Sequence, residues 1–90
     1  MKRIQLSKVY TLANQERDYV EMREPRVRDN LNVSKIKEEE QREISLLANL
    51  CDISTDDIEA LTLNDYSRLT HAFLGFIGSQ PPNLEPPFLH

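Results

Sequence analysis

Asp56, Asp57 and Glu59 lie close together and would offer oxygen donors to a cation. A calcium loop also needs a glycine at its sharp turn and a longer series of ligands, and neither is present. The spacing fits helix capping instead, because Ser54-Thr55-Asp56-Asp57 places a hydroxyl and then carboxylates where a helix would begin. The lone cysteine, Cys51, excludes an internal disulfide and has no metal-ligand spacing with His71 or His90. It sits on an apolar helical stripe, so a buried, inert thiol is expected. His71 falls between the polar and apolar arcs of a helical stretch, where a surface or packing histidine outweighs a general base. There is no glycine-rich phosphate loop and no Ser or Cys in a recognisable strained turn. The chemistry-bearing residues therefore predict a protein that is not an enzyme, uses no cofactor or metal, and works by binding.

Composition narrows the binding partners. Ninety residues make one small domain, at a size where only about 60–65% of the unfolded surface is buried on folding. No apolar run approaches a membrane span or a signal-peptide core, so the expectation is a cytosolic protein without a membrane partner. A net charge of −4 argues against nucleic acid, whose phosphates call for a basic surface. The charge is uneven: residues 1–28 hold seven Lys or Arg against four acids (+3), and residues 29–90 hold four against eleven (−7). Such asymmetry can steer one copy toward another, or a basic N-terminal segment toward the acidic remainder.

The elements that must position these residues meet at Met22-Arg23-Glu24-Pro25-Arg26-Val27-Arg28-Asp29. Upstream, Ile4, Leu6, Tyr10 and Leu12 alternate with polar residues, Lys8 being the exception, which is the period of a half-buried strand. Ala13 to Arg17 reads as a turn, and Val20 and Met22 resume the alternation, so a β-hairpin over 3–23 is expected. Proline disfavours helix in the residue before it and is tolerated at a first helical position, which predicts a strand ending at Glu24 and a helix opening at Pro25. That helix would place Val27 and Leu31 on one face. Ser34 then either caps a new helix or is run through.

Lys35 to Cys51 forms the next helix, with Ile44, Leu47, Ala48 and Cys51 on its stripe and Glu38 and Arg42 at pairing distance along it. Ser54 opens a short helix to about Leu61. Thr62 and Asp65 open the last one, which runs to Ile77 and stops at Gly78. The fold class is thus α+β, an N-terminal β-hairpin followed by three to four α-helices within 25–77. The domain ends at residue 78. Residues 79–90 contain four prolines and form an extended tail, in which Leu84, Phe88 and Leu89 are candidate anchors.

This order of features resembles the tail assembly chaperones of Mu-like and related contractile-tailed bacteriophages. The resemblance covers roughly residues 4–77 and is carried by two motifs. One is the corner Arg23, Glu24, Pro25, Arg28 and Asp29. The other is the entry Leu63-Asn64-Asp65-Tyr66 to the last helix, with Asp65 as its acid. It implies a non-enzymatic assembly factor in the bacterial host cytoplasm that binds the tape measure protein, assists tail tube assembly with the tube protein, and is not retained in the mature virion. In several such phages a longer product arises by frameshifting near the end of the gene.

A chaperone for a long amphipathic helix needs an apolar surface of modest area with a polar rim. Phe73, Leu74, Phe76 and Ile77, where the apolar arc of the last helix widens, are the chosen partner-binding residues. The same four side chains could instead cover the hairpin. Two other functions compete: a structural adaptor of the phage particle that forms homo-oligomers through its hairpin edge, and a helix-turn-helix DNA-binding regulator over Ser54–Ile77. The second has only Arg68 and His71 to offer a DNA groove.

Overall fold

The alternating stretches become β1 (Lys2–Leu12) and β2 (Gln15–Met22), an antiparallel hairpin, in a computed structural model that describes residues 1–78. The expected proline-rich tail and its anchors Leu84, Phe88 and Leu89 lie outside the described residues. The turn is tighter than Ala13–Arg17: Ala13 and Asn14 alone make it, with φ of 52° and 64°. Two consecutive left-handed residues match the twist of the paired strands, so pairing continues up to Leu12 opposite Gln15.

The register shifts once. Lys2–Gln5 pair with Met22–Tyr19 and Tyr10–Leu12 with Arg17–Gln15, which leaves Leu6–Val9 opposite Asp18 alone. This bulge explains why Lys8 breaks the alternation. The ladder is interrupted there, and Ser7, Lys8 and Val9 are exposed while Leu6 and Tyr10 stay buried. The Gln5 amide bridges the gap, donating from Nε2 to the Asp18 carbonyl at 2.8 Å.

Four helices follow: α1 (Val27–Val33), α2 (Glu39–Cys51), α3 (Thr55–Glu59) and α4 (Leu63–Ile77). The first starts later than expected. β2 ends at Met22 because its partner strand begins at Lys2, and the Arg23 amide turns to the Leu50 carbonyl of α2 instead. Arg26 stays extended so that its amide can donate to the Asp29 carboxylate, and the helix begins behind it, two residues after Pro25. α2 also starts late. Ser34 hydrogen-bonds back to the Leu31 carbonyl and caps nothing downstream, and Glu38 takes the N-cap position. Arg42 donates to the Ile36 carbonyl, closing that connection rather than pairing with Glu38.

α2 ends at Asp52, a left-handed residue with φ 55° whose amide returns to the last turn. α3 and α4 begin at the expected caps, Ser54 and Thr62, and α4 ends before Gly78. β1 lies against α4 and β2 against α2. Between them Leu12, Val20, Met22, Leu47, Leu50 and Leu69 are all 1% exposed or less, which fixes the centre of the core at the hairpin's inner face. Two strands alone would be marginal in water; burial against two helices supplies the missing apolar contact.

Candidate functional site

Three helices start in the same way. Asp29 of α1, Asp57 of α3 and Asp65 of α4 each stand at the third helical position, and each carboxylate reaches the hairpin or its end. A carboxylate at a helix N-terminus is favoured by the local dipole. Here it also serves as the tie between layers.

Asp29 takes a bidentate pair from Arg23, at 2.6 and 2.8 Å, together with the Arg26 amide at 2.8 Å. The Arg23 guanidinium holds its carboxyl below the usual carboxylate range. The same pairing raises the pKa of Arg23. Asp57 accepts from the Ala13 amide at the hairpin turn, at 3.0 Å, as well as from the Ser54 amide, and the Ala13 bond is the main cause lowering its pKa.

Asp65 is fully buried. It accepts from the Ser7 amide at 2.9 Å, the Ser7 hydroxyl at 2.7 Å and the Tyr10 hydroxyl at 2.6 Å. The Ser7 amide lies in the bulge, so Asp65 satisfies a donor that the ladder gave up. Burial pushes its carboxyl up, but the bonds from Tyr10, Ser7 and Thr62 outweigh it and leave the pKa lowered. The expected mutual cap is half present: Thr62 Oγ1 accepts from the Asp65 amide, while the Thr62 amide donates to Tyr10 and not to Asp65. Arg68 approaches Asp65 at 3.7 Å and donates to the Gln5 carbonyl at 3.0 Å. Sequence reading found Asp65 through its local cap; its partners on β1 carry no local signal.

Cys51 is buried, and burial pushes its thiol up to about 12. Among the described residues no three His, Cys, Asp or Glu side chains converge as a metal ligand set. His71 is exposed on α4.

The four residues chosen as a partner surface separate into two environments. Phe73 is buried in the core together with Leu69 and Ala72. Leu74 is 40% exposed, and Phe76 and Ile77 are half-buried, packed against the core with an outer edge left open. The C-terminal end of α4 therefore presents Leu74, Phe76 and Ile77. At the other end, Ile44, Leu63 and Tyr66 line a groove of about 540 Å³ between α2, α3 and α4, rimmed by Glu40, Glu43 and Glu59. The Tyr66 hydroxyl donates to Glu43 at 2.8 Å, and burial together with that carboxylate raises its pKa.

A family model described as phage tail assembly chaperone proteins, E, or 41 or 14, matches residues 3–78. The chain belongs to that family. No curated protein and no solved structure matches it. The match runs from Arg3 in the hairpin through the four helices of the described residues, and so takes in both motifs. Arg23, Asp29 and Asp65 are joined to the bonds described above, whereas Glu24 and Arg28 are exposed and Pro25 is half-buried. In this tail assembly chaperone the best-defined polar constellations hold the fold together, while Val27, Leu31, Leu63 and Leu74 are large apolar side chains left exposed. No helix among the described residues is long and apolar enough to cross a membrane.

Proposed function

We propose that this tail assembly chaperone, from a Mu-like or related contractile-tailed phage, binds the tape measure protein in the host cytoplasm before and during tail tube polymerisation. It acts without catalysis, brings tube protein to its client, and leaves before the virion is complete. Residues 1–78 act as one unit to which 79–90 are appended. What supports this role is the last turn of α4, where Leu74 stands 40% exposed beside the half-buried Phe76 and Ile77. An amphipathic helix can lay its apolar face on such a patch, and the small area suits a client that must later be released.

The test is co-expression with the tape measure protein, followed by co-purification. Leu74→Asp should keep the far-UV circular dichroism and melting behaviour of the native chaperone and lose the client. Retention of the client by a folded Leu74→Asp variant would overturn the assignment of this surface. Detection of the chain in purified particles would instead favour a resident structural adaptor.

A further inference from the structure

One surface of the chain is apolar and basic, and another is apolar and acidic. Val27 and Leu31 lie one turn apart on α1, so they share a face, and that face is open to solvent with the two side chains 78% and 63% exposed. Arg26 and Arg28 are exposed beside them, and Lys35 and Lys37 follow in the exposed connection. The short helix is held by its opposite side, through Val33 in the core and Asp29 paired with Arg23. An exposed apolar pair set among cations is a small amphipathic ridge in search of a groove.

The groove between α2, α3 and α4 has the complementary character. Leu63, 87% exposed, and the half-buried Ile44 and Tyr66 give it an apolar floor and wall, and Glu40, Glu43 and Glu59 give it a negative rim. We infer that the occupant of this groove is α1 of a second copy, with Val27 and Leu31 seated on Ile44, Leu63 and Tyr66 and the flanking arginines against the glutamates. The contact is heterologous, since the ridge on one copy meets the groove on another. A seven-residue ridge covers well under a standard interface, so association is weak and reversible. Much of its attraction is between exposed charges, and added salt weakens it. The groove lies roughly 16 Å along α4 from Leu74. Self-association and client binding are therefore separable, and either can fail without the other.

The test is sedimentation velocity on the full 90-residue chain over a concentration series at low and high salt. The wild-type chain should show a reversible rise in mass with concentration that high salt suppresses. Leu31→Asp should remove the ridge and Glu40→Lys/Glu59→Lys the rim, each weakening association at least about tenfold, equivalent to about 1.4 kcal/mol. Both sites are on the surface, and native circular dichroism checks that the variants fold. Glu40→Gln/Glu59→Gln, which keeps side-chain size, serves if charge reversal frays α2. The deciding arm mixes the two variants. The Leu31→Asp chain retains its groove and the rim variant retains its ridge, so the mixture should form a one-to-one heterodimer although each component alone is monomeric. A wild-type chain that stays monomeric to its solubility limit overturns the inference. So does association that survives in both single variants, or a mixture that gains no dimer.

Discussion

Tyr10 of β1 and Asp65 of α4, fifty-five residues apart, share a buried hydrogen bond of 2.6 Å. The same hydroxyl accepts from the Thr62 amide, so Tyr10 joins the helix cap to the strand through one oxygen. An N-cap contact alone is worth about 1 kcal/mol. A buried carboxylate that satisfies three donors from another element is worth more, because its removal leaves those donors unpaired. Asp65→Ala should cost about 3 kcal/mol and Tyr10→Phe about 1–2 kcal/mol. In a double-mutant cycle by urea denaturation the two losses should fall short of adding. Full additivity would show that the Tyr10 bond is not coupled to what Asp65 contributes, leaving its tie to β1 to Ser7 alone.

The Arg23 and Asp29 pair is partly open to water, with the arginine side chain 37% exposed and the aspartate 7%. Solvent screening limits what the pair contributes, but the two-pronged geometry is specific to a guanidinium. Asp29→Ala should destabilise by about 2 kcal/mol, since it strands the Arg26 amide as well as Arg23. Arg23→Lys keeps the charge and loses the fork, for a cost of about 1 kcal/mol. If lysine matched arginine in urea, the tie would be charge alone.

All three tying aspartates titrate below their ordinary value in the folded chain. Their stabilisation is therefore fully present above the unfolded aspartate pKa of about 3.9 and is lost as pH falls through the lower folded values. Urea midpoints should stay level from neutral pH down to about 5, where unfolded aspartates remain charged, and fall steeply below about 4. Asp65→Asn, less stable at neutral pH, should show a shallower acid slope because one of the linked protons is gone. An unchanged slope would remove Asp65 from the set.

How far the sequence discloses this fold depends on the reach of each signal. Thr62, Ser54 and Gly78 act on neighbours within four residues, and α4 begins and ends where they place it. Pro25 acts locally too, but Arg23 and Asp29 override it by holding Arg26 extended. Periodicity put Val27 and Leu31 on one face without indicating that the face is uncovered, because a spacing defines a stripe and not what packs on it. The exception at Lys8 was a legible trace of the bulge. That the bulge exposes the Ser7 amide to Asp65, fifty-eight residues away, becomes visible only once β1 and α4 are placed together.

Phe73 and Leu74 are adjacent in the chain and differ tenfold in exposure, 4% against 40%. Helical geometry turns successive residues by about 100°, which is enough to send one ring into the core and leave its neighbour at the rim. Phe73→Ala should cost about 3–4 kcal/mol, a large part of what a domain this small can hold. Leu74→Ala should cost only about 1 kcal/mol, since 40% of the residue stays in solvent and its loss opens no enclosed cavity. The contrast, read from urea midpoints, decides whether a binding defect at α4 reports a lost surface or a lost fold. Should Leu74→Ala prove as costly as Phe73→Ala, the end of α4 would be core throughout, and a client lost with Leu74→Asp would say nothing about where the client sits.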